Sequence, residues 1–134
     1  MPTTTITGDM FSITVDGTRA EVRIWRRPDL DSEKGAQNAA RIADEALKLH
    51  AHGVRTVLLD VREAPAVAGP KSLASLSTMM AAWATARIRI CILVGTDDAL
   101  KMLQFTRVVT EVAPRDARVV KDEAEAKKWL ASGG

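Results

Sequence analysis

The stretch Thr56-Val57-Leu58-Leu59-Asp60-Val61 decides the fold, because apolar and β-branched residues follow one another in it with little alternation. Such a run is typical of a strand buried on both faces, as in a parallel sheet that is covered by helices. A second run of this kind extends from Arg87 to Val94. Two buried strands of this type predict an α/β domain whose central strands are parallel.

Upstream of the first buried strand the pattern changes to alternation. From Met10 to Val15, and again from Ala20 to Trp25, every second residue is apolar. Asp16-Gly17 lies between the two segments and is a strong turn signal, since both residues tolerate positive φ. We therefore expect an antiparallel hairpin at the periphery of the sheet, preceded by a flexible tail over residues 1–8.

Four helices and one further strand complete the prediction. Helical spacing with capping residues predicts four helices. They are Ser32 to His50, Lys71 to Trp83, a third that is capped by Thr96 or Asp97 and runs to about Val112, and Asp122 to Leu130. A short apolar segment, Ala117 to Val120, precedes the last helix and predicts a strand. The predicted fold is α/β, a single mixed β-sheet with an opening antiparallel hairpin and helices packed on it. Its order is β-β-α-β-α-β-α-β-α, in one domain over residues 9–132.

Composition excludes several classes of protein. The chain has 134 residues, 46% hydrophobic and 27% charged, with a net charge of +2. This small positive surplus does not indicate a nucleic-acid partner. No apolar run reaches the ~18 residues of a membrane span, and the first residues do not resemble a signal peptide, so we expect no integral membrane segment and a cytoplasmic location.

Residues that could carry catalysis do not form a recognisable set. Neither GxGxxG nor GxxxxGK[ST] occurs. His50 and His52 do not face one another on a helix, and Cys91 lies inside a predicted strand, where it is a small buried hydrophobe. For Asp60 at a strand end, a structural carboxylate is favoured over a phosphoacceptor. We expect no cofactor, no metal site and no enzymatic activity.

Two surfaces have more than one interpretation. The hairpin carries Arg19, Arg23, Arg26 and Arg27, which favour a solvated, charged edge over a face for anionic partners. The second helix combines a core stripe with extra apolar residues at Met79, Ala81 and Ala82. We interpret it as an ordinary packed helix, with partner docking or the lining of a small apolar cavity as the alternative.

The order of elements and three segments resemble the STAS domain family, more narrowly its SpoIIAA-like group. The segments are Val57-Leu58-Leu59-Asp60, Ile90-Cys91-Ile92-Leu93-Val94-Gly95, and the ending from Val119 to Leu130, which reads VVKDEAEAKKWL. The resemblance covers about Met10 to Leu130. It implies a bacterial regulatory protein that binds a protein partner without catalysis, as anti-sigma-factor antagonists do.

Classical antagonists have an Asp-Ser-Ser-Gly-type segment with a phosphorylated serine where this chain reads Val67-Ala68-Gly69-Pro70-Lys71-Ser72. The acceptor serine and its aspartate are missing there, so we expect the standard phosphoswitch to be absent, with Ser72 as a displaced candidate for phosphorylation. The alternative is a SpoIIAA/Sec14-like binder of a small apolar ligand or lipid. Whether the chain forms a homodimer is left open.

The predicted contact surface is the loop from Arg62 to Lys71 together with the first turn of the following helix. Loops that leave the carboxyl ends of central strands collect the functional sites of α/β sheets. Pro65, Gly69 and Pro70 also restrict the shape of this loop. The partner-binding residues predicted from the loop and from the resemblance are Asp60, Arg62, Glu63, Gly69, Lys71, Ser72 and Ser75.

Overall fold

A computed structural model describes residues 4–25, 32–49, 51, 53–64, 70–113 and 115–132. Six strands and four helices form in this part of the chain. In chain order they are β1 Thr4–Thr7, β2 Phe11–Asp16, β3 Arg19–Trp25, α1 Ser32–Leu47, β4 Thr56–Glu63, α2 Pro70–Thr85, β5 Arg89–Leu93, α3 Ala99–Val112, β6 Ala117–Val120 and α4 Glu123–Ser132.

The strands form a single mixed sheet in which the spatial order equals the chain order, β1-β2-β3-β4-β5-β6. β1, β2 and β3 pair antiparallel, whereas the pairs β3–β4, β4–β5 and β5–β6 are parallel. The two strands with continuous apolar runs, β4 and β5, are central, as predicted. The predicted α/β class, with an opening hairpin and helices packed on one sheet, is confirmed.

One element differs from the prediction of a flexible tail over residues 1–8. Thr4–Thr7 form β1, which pairs with β2 in the register Thr4 opposite Val15. Threonine favours extended backbone, and the free edge of the hairpin supplies hydrogen-bond partners for it. Ile6 lies opposite Ile13 and packs against the core. β1 is stabilised by its pairing with β2, and the sequence pattern of four residues does not reveal such a pairing.

The sheet separates two unequal layers. On one face, α1, α2 and α3 bury a large core around residues such as Ile42, Met80, Trp83 and Phe105. On the other face α4 is the only described helix that packs on the parallel strands, over a smaller cluster that contains Leu58, Cys91, Leu93, Val120 and Ala126. Three successive parallel crossovers of the same hand place their helices on the same face, as observed.

α4 is held on the sheet by one arginine of β5. Arg89 Nη2 donates a hydrogen bond to the carbonyl oxygen of Trp129 over 3.1 Å. Its guanidinium carbon lies 4.0 Å from the centroid of the Trp129 ring, a cation–π contact. α4 packs on β4, β5 and β6, so the polar residues of the hairpin on this face, such as Thr14 and Glu21, lie beside the helix.

Candidate functional site

Asp60 and Arg62 form a bidentate ion pair near the carboxyl end of β4. Two positions apart on a strand, they share the face on which α4 packs. Arg62 Nη2 lies 2.8 Å from Asp60 Oδ2, and Arg62 Nε donates to Oδ1 over 3.0 Å. The Arg62 backbone N–H also donates to Oδ1, over 3.1 Å. Both carboxylate oxygens are therefore engaged by Arg62.

The pKa of Asp60 reflects two opposing effects. Burial raises the pKa, because only 5% of the side chain is exposed. The hydrogen bonds and the positive charge of Arg62 lower the pKa, and together they outweigh burial. The pKa of Asp60 consequently lies below its usual value of 3.8. The carboxylate is ionised at neutral pH and serves as the fixed anchor of Arg62.

This pair extends into a mosaic of charges at the carboxyl edge of the sheet. Arg62 Nη2 also reaches Glu123 Oε1 of α4 at 3.4 Å, and Arg23 of β3 pairs with Glu63 at 3.2 Å. The outer members are exposed, so each exposed pair contributes only ~0–1 kcal/mol to stability. Their main effect is to arrange alternating charges over β3, β4 and α4.

Lys101 of α3 closes the same edge from the opposite face of the sheet. Although charged, the residue is only 3% exposed. Its ammonium group donates to the carbonyl oxygens of Val61, Arg62 and Ala64 over 2.8, 3.2 and 2.6 Å. It also lies 2.9 Å from Asp98 Oδ2. A buried ammonium is stable only when such partners replace its water, and here all of them are protein atoms.

Asp98 has a second role as the N-cap of α3. Its Oδ1 accepts a hydrogen bond from the Lys101 backbone N–H over 3.2 Å. The hydrogen bond with Lys101 lowers the pKa of Asp98 below its usual value. Through Asp98 and Lys101, the start of α3 and the end of β4 are joined into one rigid unit.

Sequence reasoning missed Lys101. The signal was available, because Lys101, Phe105, Val108 and Val109 follow one helical stripe and all four are buried. A lysine at a core position of an amphipathic helix indicates either a snorkelling side chain or a buried ammonium group with partners. The stripe alone does not say which carbonyl groups would surround it.

Three of the predicted contact residues come together in the structure: Asp60, Arg62 and Glu63 lie side by side on β4. Gly69 lies outside the described residues. Lys71, Ser72 and Ser75 belong to the first turns of α2, and their side chains are outside the described part of the chain. Pro70 is the first residue of α2, a favourable position for proline.

The structure places several other residues that the sequence analysis considered as functional candidates. Cys91 is buried in β5, where burial raises the pKa of its thiol to about 11. Met79, Met80 and Trp83 are core residues of α2, as expected for an ordinary packed helix. His50 and His52 lie outside the described residues. Within the described ranges, no group of three or more His, Cys, Asp or Glu side chains could hold a metal ion.

A cavity of about 730 Å³ opens at the other end of the strands, between α4 and the hairpin. We call it the arginine groove. Its lining is mostly polar or charged and consists of Thr14, Asp16, Thr18, Arg19, Ala20, Glu21, Arg55, Thr56, Leu58, Arg87, Arg89, Lys127, Leu130 and Ala131. The groove therefore lies at the amino ends of β3, β4 and β5, away from the Asp60 edge.

Comparison with known proteins finds no matching family model, curated protein or solved structure. Among the described helices, none is both long enough and apolar enough to cross a membrane. What the chain does must therefore be inferred from its own residues.

Proposed function

We propose that the chain is a non-catalytic regulatory module of the STAS or SpoIIAA-like kind, which binds a protein partner at the carboxyl edge of β4. The observation that carries the proposal is the fixed backbone of this edge. Lys101 holds three carbonyl groups between Val61 and Ala64, while the side chains of Arg62 and Glu63 are 41% and 62% exposed. A rigid backbone that presents charged side chains lowers the entropy cost of binding.

Two exposed apolar side chains lie on α3, across the sheet from the charged residues of β3, β4 and α4. Leu100 and Leu103 of α3 are 55% and 66% exposed, and one helical turn places them as neighbours. Leu100 lies next to Lys101 in the first turn of the helix. Protein interfaces commonly combine an apolar centre with a charged rim, and a partner that reaches around the carboxyl edge of β4 contacts both the leucines and the charged side chains.

The charged groups at this edge favour binding over catalysis. Asp60 uses both carboxylate oxygens on Arg62, and Lys101 uses its ammonium on carbonyl groups and Asp98. A general base or nucleophile must be accessible to its substrate, whereas Asp60 and Lys101 are each only 3% exposed. We therefore assign Asp60 and Lys101 to the support of the binding surface. The alternative of a purely apolar ligand is not favoured by the arginine groove, because five cationic side chains are part of its lining.

Site-specific photo-crosslinking in the cells that produce the protein tests the proposal. A benzophenone amino acid replaces Glu63 at the proposed surface, and Arg115, at the other end of the sheet, serves as the matched exposed control. We expect a discrete protein adduct from position 63 that position 115 does not form. The adduct partner, identified by mass spectrometry and purified, should bind the wild-type chain in calorimetry.

Two variants then examine the surface with the purified partner. Arg62→Ala and the double variant Leu100→Ser/Leu103→Ser should each weaken binding about tenfold or more, as truncation of a central interface residue does. Circular dichroism checks that both variants remain folded. Equal adducts at positions 63 and 115, or affinities unchanged in both variants, would contradict the proposal. Phosphorylation of Ser72, if it occurs, should also change this affinity, because Ser72 lies in the first turn of α2.

A further inference from the structure

The arginine groove has a geometry that the proposed contact surface does not use. Strand register places Arg19 opposite Thr56 and Thr56 opposite Arg89, so these three side chains form a row across β3, β4 and β5 on one face. Arg55 and Arg87 precede β4 and β5 at the same end of the sheet. Lys127 completes the set from α4. Five cationic side chains thus line the groove, and they come from β3, β5, α4 and the connections that precede β4 and β5.

Among the described residues, three of these cations have no carboxylate counter-ion, since none of the ion pairs there involves Arg19, Arg55 or Arg87. Lys127 pairs with Glu123 at 3.7 Å. Arg89 is engaged by Trp129, and its buried Nε has no hydrogen-bond partner in the structure. Unpaired guanidinium groups on one wall attract anions, since they repel one another without a ligand.

Arg87 occupies a conformation that normally selects glycine. α2 ends in a Schellman motif, with the Ile88 N–H bonded to the Trp83 carbonyl over 2.9 Å and the Arg87 N–H to the Ala84 carbonyl over 3.0 Å. Arg87 is the left-handed residue of this motif, with φ 61°. Any side chain there is strained relative to glycine. Strain of this kind is found where a side chain is needed, and this one carries a charge to the groove.

From this arrangement we infer that the arginine groove binds a small organic phosphate. Guanidinium groups match phosphate oxygens through paired, charge-assisted hydrogen bonds. Five cations face only two carboxylates, Asp16 and Glu21, in the lining, and a phosphate monoester with about two negative charges reduces this surplus.

The groove also has room for an organic group attached to the phosphate. Its volume of about 730 Å³ is far more than a phosphate fills and lies within the ~300–1,000 Å³ of small-molecule sites. Leu58 and Leu130 provide apolar surface on the wall next to the cations. The phosphate contacts the arginines, and the remainder of the ligand lies against these leucines.

Nuclear magnetic resonance titration with inorganic phosphate and with phenyl phosphate tests the inference. We expect saturable shifts of the Arg19, Arg55 and Arg87 side-chain signals with both probes. Phenyl phosphate should bind severalfold more tightly than inorganic phosphate, because its ring contacts the apolar wall. Leu130→Ser should reduce this advantage. A short single-stranded oligonucleotide forms the third arm of the titration and tests for a nucleic-acid ligand.

Variants of opposite sign make the test specific. Arg19→Gln and Arg55→Gln should each weaken phenyl phosphate binding about tenfold, as loss of a charge-assisted hydrogen bond does. Glu21→Gln should strengthen it about twofold to fivefold by removing a repulsive charge. Arg107→Gln is the matched control, since Arg107 lies on α3 across the sheet and pairs with Glu111. Its affinity should equal that of the wild type.

Arg87→Gly separates binding from folding. Glycine relieves the left-handed strain, so this variant should unfold at a higher temperature than the wild type and yet bind phenyl phosphate about tenfold more weakly. The inference is overturned if the wild type shows no saturable binding of either phosphate probe. It is also overturned if the groove variants bind like Arg107→Gln, or if only the oligonucleotide binds. None of these residues belongs to the Asp60 edge, so this result is independent of the crosslinking experiment.

Discussion

At the scale of the residue, two buried charges determine the shape of the carboxyl edge. Asp60 and Lys101 are each 3% exposed, and each is surrounded by partners contributed by the end of β4. They do not pair with one another: Asp60 holds the Arg62 side chain on one face of the sheet, and Lys101 holds the backbone from the other. Removal of either charge leaves groups of opposite polarity without a partner.

The first prediction concerns Lys101. Lys101→Met keeps most of the buried length of the side chain but leaves the Val61 and Ala64 carbonyls without their donor. We expect a loss of about 3–5 kcal/mol in the free energy of unfolding, measured by urea denaturation. Lys48→Met is the control, because Lys48 is 56% exposed, and it should change stability by less than about 0.5 kcal/mol. Equal effects of the two variants would contradict the role of Lys101.

The second prediction concerns the pH dependence due to Asp60. Its pKa in the folded protein lies below the usual 3.8, so the ionised form stabilises the fold above about pH 4. This stabilisation is lost as the pH falls through the folded-state pKa. Asp60→Asn should therefore be less stable than the wild type at neutral pH by about 1–3 kcal/mol. The difference between the two proteins should shrink on acidification.

Urea midpoints measured from neutral pH to below about pH 4 test this expectation. The Asp60→Asn variant should also remain acid-sensitive, because the pKa of Asp98 is lowered as well, by its hydrogen bond with Lys101. A constant difference between wild type and Asp60→Asn across this range would show that the Asp60 carboxylate adds no pH-dependent stability.

At the scale of the element, helix ends define how each helix meets the sheet. α3 starts at a capping aspartate, and α2 ends in a motif that usually contains glycine. The connection between α2 and β5 is short, and Arg87 and Ile88 must reverse the chain within it. The same two residues provide a groove cation and a core side chain, Ile88 being 1% exposed.

The third prediction is that Arg87→Gly stabilises the protein. Left-handed backbone costs a side-chain-bearing residue about 1–2 kcal/mol relative to glycine, whereas the greater freedom of glycine in the unfolded chain offsets part of the gain. We expect a net increase of about 0.5–1 kcal/mol in the free energy of unfolding. Arg87→Ala, which keeps the strain and removes the charge, is the control and should be less stable than Arg87→Gly, because both variants relieve the charge repulsion and only glycine relieves the strain. A destabilised glycine variant would contradict this account of the turn.

Element types could be read from the sequence because their periodicities are local. The unbroken apolar run at Thr56–Val61 and the alternation in the hairpin each report on a single strand. β1 could not be predicted in this way, since its stability depends on a free edge supplied by β2. Lys101 and the row of Arg19 and Arg89 depend on contacts between distant segments. Asp60, Arg62 and Glu63 could be predicted as neighbours because all three belong to one strand.

At the scale of the whole molecule, the two layers differ in thickness. Three helices cover one face of the sheet, whereas α4 alone shields the small cluster around Leu58, Cys91 and Leu93 on the other. The contacts of Arg89 with Trp129 and of Arg62 with Glu123 are polar links between α4 and the sheet. Access to this cluster should consequently depend on α4 more than on global unfolding.

The fourth prediction uses Cys91 to measure that access. Because the thiol is buried and its pKa is raised to about 11, the native protein should react slowly with dithiodipyridine near neutral pH. Trp129→Ala removes the cation–π contact with Arg89 and should increase the rate about tenfold. Leu103→Ala, at an exposed position of α3, should leave the rate unchanged. A native rate equal to that in urea would refute this arrangement.

The order of the strands has a consequence for how the protein is made. Each strand pairs with the one that precedes it in the chain, so the sheet can grow in the direction of synthesis without waiting for a distant partner. The antiparallel ribbon β1–β3 emerges first, and every later crossover adds one strand to an existing edge. Such sequential pairing keeps the contact order low for a parallel sheet, which favours rapid folding. Of the described elements α4 is the last to emerge, so its docking on β4, β5 and β6 follows the pairing of the strands.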